Sequence, residues 1–315
     1  MLSRIAESLY WVGRYAERAE DIARILDVHL HHILEDPWVD EEVACRTLLG
    51  IMGTAAPEEG PIDAARVIDI LAFDPIDTCS IVGSLNAARD NARGARDAIS
   101  SEMWECLNAT YNALPGQTVV EPGFGPYRFF RFVKERAAVL AGLADSTMSR
   151  DDGWRFLVLG RSLERADMTT RLLLATISGG SGSPEWINTL RSCSAYEAFL
   201  RTYRSPVEAA PAVEFLLLDR LFPRSAFHAL SLAQQCLSEL GPTIGRSGQE
   251  DEARRIIGLA RTELEFRRID ELVADLAGHL ERLQASCAEA GTAVGKRFFR
   301  QTAAIEWTLE GATDL

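Results

Sequence analysis

Gly13-Arg14-Tyr15-Ala16-Glu17-Arg18-Ala19-Glu20-Asp21-Ile22-Ala23-Arg24-Ile25-Leu26 returns 147 positions later as Gly160-Arg161-Ser162-Leu163-Glu164-Arg165-Ala166-Asp167-Met168-Thr169-Thr170-Arg171-Leu172-Leu173. Seven of the fourteen pairs are identical, and four of those seven are charged. A repeat is read first because it sets the architecture. Leu9, Val12, Ala16, Ala19, Ala23, Leu26 and Leu30 step by three and four, the period of a helix with one narrow buried seam. The chain is expected to form two similar helical halves, 1–114 and 126–240, related by a pseudo-twofold, with C-terminal helices over 250–311.

Outward from the first copy, Ser3 is placed to cap the first helix, a short helix covers 40–52 and another opens at Pro61. Asp74-Pro75-Ile76-Asp77 breaks the chain, and a long helix follows over 79–113, its seam running Ile81, Leu85, Ala88, Ala92, Ala95, Ile99, Met103, Cys106. Residues 115–126 hold three prolines and three glycines, which makes a loop between the halves; its Thr118-Val119-Val120 is the one strand-like run. The second half repeats the plan. A helix over 126–146 leads, through a cap at Ser149 or Asp151, into the helix carrying the second copy. Gly179 to Pro184 is a link, helices follow at 184–203 and 207–220, and Phe222-Pro223-Arg224-Ser225 opens another. After a loop at 241–249 come a helical stretch over 250–289 and a terminal helix over 292–310 with Arg297, Arg300 and Trp307. The expected class is all-α: one domain over 1–315, a bundle of about ten long antiparallel helices.

Composition narrows function. The net charge of −13 argues against a nucleic-acid backbone as partner, because such binding needs clustered surplus cations. Lys134 and Lys296 are the only lysines, so nearly all positive charge is arginine, the residue suited to bidentate carboxylate or phosphate pairing. Six scattered cysteines without a C-x-x-C pair read as reduced core thiols, not as a zinc site or disulfide framework. No apolar run reaches transmembrane length, and Glu7 interrupts the place of a signal peptide's apolar region; a cytoplasmic location is expected. Phosphate-binding glycine loops, dinucleotide fingerprints and nucleophile elbows are absent, so no cofactor is expected. His29, His31 and His32 lack a third ligand at useful spacing, and no metal site is expected.

The charges of the repeat carry a reading as a ligand pocket on the pseudo-twofold, and two structural readings. Exposed i, i+4 pairs such as Glu20–Arg24 and Asp167–Arg171 contribute only a few tenths of a kcal/mol, so one reading is a solvated face. Such pairs have little reason to persist in both copies. The other reading makes the two helices face each other, Gly13 and Gly160 allowing close approach, with Glu17 and Glu164 clamped by Arg14, Arg18, Arg161 and Arg165 beside Asp167. A weaker pairing aligns Ser80-Ile81-Val82 with Ser225-Ala226-Phe227, which sets Arg89, Asp90 and Arg93 against Gln234, Gln235 and Ser238. Charges found in one copy only have no shared structural cause. Arg89, Asp90, Asn91, Arg93 and Arg96 are thus candidates for an anion or peptide site, against the plainer reading of an exposed amphipathic helix.

These residues resemble the bacterial alpha-E family. The resemblance runs through Leu9 to Glu20, Ala88-Arg89-Asp90-Asn91-Ala92-Arg93, Ile99 to Trp104 with Leu107-Asn108, Met148 to Trp154, Leu159 to Asp167, Leu217-Leu218-Asp219 and Phe222 to Ser225. Asp90 departs from the glutamate common in the family. The resemblance implies an all-helical protein associated with circularly permuted ATP-grasp ligases, and also with transglutaminase-like peptidases, hence an accessory to peptide or amide ligation.

Three functions stay open. The chain is a binding module for an ATP-grasp amide ligase, holding a carboxylate or acyl phosphate on Arg14, Arg18, Arg89, Arg93, Arg161 and Arg165, with Glu17 and Glu164 orienting the guanidinium groups. It is an enzyme of amide or acyl transfer with Glu17 or Glu164 as base, although a carboxylate among arginines is a poor base near neutrality. Or it is a structural scaffold. No catalytic residue is assigned.

Overall fold

The computed structural model describes residues 1–118, 125–179, 182–241 and 251–299. Fourteen α-helices and no strand occur among them. The two repeat copies lie on the longest helices, α1 (Ser3–Glu35) and α7 (Asp152–Gly179). Around α1, helices α4 (Ile81–Gly94), α5 (Ser101–Gln117) and α6 (Tyr127–Thr147) close a ring: α1 on α4, α4 on α5, α5 on α6, α6 back on α1. Around α7, helices α11 (Ala226–Leu240), α12 (Glu252–Phe266) and α14 (Leu276–Phe298) close a second ring in the same order. Short helices bridge the gaps: α2 (Glu41–Met52), α3 (Ala64–Ile68), α8 (Ser183–Ser192), α9 (Tyr196–Tyr203), α10 (Ala209–Leu218) and α13 (Ile269–Ala274). One buried apolar cluster runs through both rings.

The α1–α7 crossing is the joint. A Cβ on Gly13 would overlap the Leu157 carbonyl oxygen, and one on Gly160 would overlap that of Tyr10. Only residues without a side chain let two helix backbones approach this closely. Contacts advance in the same sense along both helices, from Leu9 beside Gly153 to Arg18 beside Glu164, so α1 and α7 run parallel. The expectation of antiparallel helices fails for this central pair. A connection of more than a hundred residues separates them and leaves direction free, whereas the short connections give antiparallel neighbours.

Other expectations shift for local reasons. The helix expected over 79–113 is two helices folded back on each other. It stops at Gly94, turns through a 3-10 segment (Arg96–Ala98), and restarts after Ser100, whose hydroxyl accepts the Met103 N–H at 3.2 Å. The three-and-four spacing runs on across this turn and so hides it. Leu2, not Ser3, precedes α1, and Asp63, not Pro61, heads α3 by accepting the Arg66 N–H. The helix expected over 184–203 is divided at Ser194, whose φ is 51°. The stretch over 250–289 is three helices, and α14 continues to Phe298, so the break expected before 292 does not exist; Arg297 lies on it. Arg300, Trp307, Val119 and Val120 lie outside the described residues. Asp151 does cap α7, accepting the N–H groups of Gly153 and Trp154.

Gly13→Ala should lower stability by at least about 3 kcal/mol, because the backbone it meets cannot move aside. Gly142→Ala, at an exposed position of α6 with open space around it, should raise stability by up to about 1 kcal/mol. Chemical denaturation of both variants checks this, and equal effects would contradict the close crossing.

Candidate functional site

Below the crossing the repeated charges meet as reciprocal clamps. Glu164, on α7, is fully buried and accepts Arg14 Nε and both Nε (2.5 Å) and an Nη (3.1 Å) of Arg18 from α1. Glu17, on α1, accepts two bonds of 2.7 Å from Arg165 of α7. The arginines also tie down the loops before the next helices. Arg18 donates to the Thr78 carbonyl at 3.3 Å and Arg165 to the Pro223 carbonyl at 3.4 Å. Those loops are alike. Asp74 and Asp219 each accept two loop N–H groups, and Ser80 and Ser225 donate back to their carbonyls while capping α4 and α11.

The clamps have an electrostatic consequence. Burial alone would raise both carboxyls, but the guanidinium groups outweigh it. Arg165 and Arg224 hold Glu17 at about 2, and Arg14 and Arg18 hold Glu164 below its ordinary value. Neither glutamate is a base near neutral pH.

Two differences between the copies break the match, and neither was legible as a functional signal. The first is Arg224. It occupies the place of Cys79 in the loop alignment and binds Glu17 and Glu20 at 2.8 Å each, and Asp21 as well. Arg24 completes the group on Glu20 at 2.6 Å. Burial, with Glu17 and Glu20 nearby, pushes the Asp21 carboxyl up to about 8 despite Arg224, and among the described residues its Oδ2 has no hydrogen-bond partner. The second difference is Tyr10, whose hydroxyl accepts from Arg14 at 3.0 Å and whose counterpart is Leu157. Among the described residues the Nε of Arg161, the counterpart of Arg14, has no hydrogen-bond partner, and its Nη2 lies 3.9 Å from Asp145. Asp167 is buried, raised by burial, and bonded to Arg171 at 2.9 Å.

The candidates of the first half lie apart, on the surface around the α4–α5 turn. Arg89 rests over the rings of Tyr111 (4.7 Å) and Trp104 (5.6 Å) and donates to Asp90 at 3.0 Å and to Asn108 at 3.4 Å. Arg96 also lies over Trp104, at 5.3 Å. Arg93 is exposed, with only Asp90 nearby at 3.9 Å. Asn91 is turned back to the Ala87 carbonyl of its own helix. The break at Gly94 places Arg96 on the turn, one aromatic ring away from Arg89. Beside Tyr111 opens a groove of about 540 Å³ lined by Phe73, Pro75, Val82, Asn86, Leu114 and Pro115 among others.

Among the described residues no group of His, Cys, Asp and Glu is placed to hold a metal. Burial and His32 depress His29 to about 4. All six cysteines are unpaired, and burial pushes Cys193, Cys236 and Cys287 up to about 12. Among the described residues no helix is long and apolar enough to cross a membrane.

Residues 1–299 match the model of a family described as "a predicted alpha-helical domain with a conserved ER motif". The chain belongs to the Alpha-E family. Glu17-Arg18 and Glu164-Arg165 of this Alpha-E chain fit the named motif, and each glutamate takes the arginine of the other pair. Uncharacterized proteins of Mycobacterium bovis and of Mycobacterium tuberculosis are 28% identical over 312 residues, 90% of this chain. The Alpha-E chain spans only 35% of the length of these relatives. No solved structure matches.

Glu164→Gln would leave Arg14 and Arg18 buried without their counter-ion. The expected cost is about 3–5 kcal/mol, a fall in Tm of roughly 10 °C. Glu42→Gln, which opens only the exposed Arg46 pair, should change stability by less than about 0.5 kcal/mol. Asp21 gives a pH signature. Its folded pKa, about 8, lies above the unfolded value near 4, so its contribution is complete below about pH 4 and is lost as the pH rises through 8. Asp21→Asn should therefore flatten the decline of Tm between pH 5 and 9, and parallel curves for the two proteins would refute the assignment.

Proposed function

We propose that this chain is an anion-binding accessory module that works beside a catalytic partner, an ATP-grasp amide ligase, and receives a carboxylate or phosphate group on Arg89, Arg93 and Arg96. The observation that carries the reading is the solvent-facing arginine set backed by Trp104 and Tyr111. Guanidinium groups resting on aromatic rings lose little freedom on binding, and an incoming anion would take Arg89 in exchange for its bonds to Asp90 and Asn108. Arg93 is exposed and 3.9 Å from Asp90, and the adjoining groove offers an apolar wall to whatever carries the anion. A peptide with its carboxylate on Arg89 and Arg93 and its chain along Phe73, Val82 and Leu114 fits this arrangement.

The length of the curated relatives supports a modular role, since two thirds of each lies outside the matched region. The partner's identity rests on the family resemblance; a transglutaminase-like peptidase is the second choice. A cytoplasmic location and a pseudo-twofold relating the halves belong to the same reading. Catalysis by Glu17 or Glu164 is disfavoured by the clamps that keep both ionised and enclosed. Those residues serve the scaffold.

The test is capture of the full chain by an ATP-grasp ligase of the same genome, with affinities measured by titration. Arg89→Ala with Arg93→Ala should weaken binding at least tenfold while moving Tm by less than about 2 °C. Undiminished binding by the double variant, or none by the unaltered protein, would reject the reading.

A further inference from the structure

A second pocket opens where α1, α6 and the turn between α8 and α9 meet, away from the Arg89 surface. Its volume is about 220 Å³, and every lining residue except Val28 is polar or charged. Space of that size holds about seven waters, or one small organic molecule. Two of its cations are engaged. Arg24 donates to Glu20 at 2.6 and 3.0 Å, and Lys134 donates to Asp27 at 2.6 Å. Two opposite charges at the exposed mouth are not. Arg191 lies over the Tyr196 ring at 5.2 Å, and among the described residues its guanidinium has no acceptor. Glu197 has no donor there, and no ion pair joins the two although both line the pocket.

The turn that carries Arg191 has a twin. At the end of α2 the Gly53 N–H bonds to the Gly50 carbonyl and the Thr54 N–H to that of Leu49, both at 3.0 Å. At the end of α8 the Ser194 N–H bonds to the Arg191 carbonyl at 2.9 Å, and the Ala195 N–H to that of Leu190 at 2.7 Å. Matching arginines of the repeat lie beside both turns, Arg171 near Gly53 and Arg24 on the Ser194 hydroxyl. Each turn needs a left-handed residue, with φ 71° at Gly53 and 51° at Ser194. Glycine adopts that conformation freely and serine does not. The end of α8 therefore carries an arginine in place of Gly50 and a strained serine in place of Gly53. Asp27, likewise, stands where the second repeat copy has Leu174. All three departures line this one pocket. A strained residue that places a hydroxyl in a pocket is a mark of function, since glycine would serve the fold better. Arg24 already supplies the Ser194 oxygen with a donor, which leaves the hydroxyl proton for a ligand.

We propose that this pocket binds a small zwitterionic α-amino acid, its carboxylate on Arg191 and the Ser194 hydroxyl, its ammonium on Glu197 beside Asp27. Unpaired charges of opposite sign in one pocket match a ligand that carries both. A simple anion would meet Glu197 as a like charge, and a simple amine would meet Arg191 as one. The part-buried Arg24–Glu20 and Lys134–Asp27 pairs are neutral and form the floor. Val28 is the one apolar lining residue, which suits a short side chain.

Thermal unfolding and calorimetric titration of the whole protein with L-alanine, propionate and ethylamine test this. Propionate is alanine without its ammonium, and ethylamine is alanine without its carboxylate. L-Alanine is expected to raise Tm saturably in the millimolar range, and the other two to leave it unchanged. Arg191→Ala and Glu197→Ala, both at exposed positions, should each weaken alanine at least about tenfold while moving the unliganded Tm by less than about 2 °C. Ser194→Gly removes the strain and the hydroxyl together, so it should keep or raise the unliganded Tm and still weaken alanine. The Arg89→Ala, Arg93→Ala protein should respond as the unaltered one does, so failure here and failure of the surface site are separately visible. The site would be rejected by no saturable response to glycine, alanine or serine, or by propionate or ethylamine matching alanine. A response to inorganic phosphate alone, or undiminished alanine binding by Arg191→Ala or Glu197→Ala, would reject it equally.

Discussion

Everything else in this molecule is arranged around the contact between two backbones at Gly13 and Gly160. Two helices this close cannot place ordinary side chains between their axes near the crossing. Their neighbouring residues, one turn on, are forced across each other instead. Glutamate and arginine succeed there because each glutamate reaches two arginines, and Arg18 and Arg165 keep donors for a loop carbonyl beyond. Replacing one partner leaves the other buried and charged, which is why the set is costly to alter piecemeal even where a wholly apolar set of the same shape would be tolerated. The four-helix rings are built outward from that joint, each completing the apolar face of one of the two repeat helices.

The joint was legible because charge was preserved where charge is ordinarily free to drift. Glycine, arginine and glutamate recurring at one phase pointed to facing helices, and the reciprocal pairs of Glu17 with Arg165 and Glu164 with Arg18 agree. Direction was not legible. Periodicity reports which face of a helix is buried and says nothing about the sense in which its neighbour runs, so the parallel α1–α7 pair escaped. The turn after Gly94 escaped for a related reason, since Ala95, Ile99 and Met103 continue the same spacing through it. The cap at Ser100 was the available signal.

The site was partly legible. Asymmetry between copies singles out Arg89, Arg93 and Arg96; Arg89 and Arg96 lie over Trp104, while Arg93 is exposed near Asp90 and Asn91 is turned elsewhere. Arg224 was missed because it sits in a loop, where no periodic pattern marks burial. Only its position directly before a capping serine, opposite a cysteine in the other copy, hinted that something had been added. Tyr10 was missed because an aromatic on a seam reads as core, which it is, while its hydroxyl serves Arg14. Both residues matter through their absence from the other half.

The parallel crossing also has a consequence in time. Synthesis delivers Arg14, Glu17 and Arg18 long before residues 161 to 165 exist; at 5–20 residues per second the delay is roughly 7–30 s. During that interval α1 has no opposite strand of charge, and the side that will later be sealed stays hydrated. A helix that carried leucine at these positions would wait with an adhesive surface exposed. Ionised side chains at these positions instead stay hydrated until their counter-ions emerge, and only then become part of the interior of the molecule.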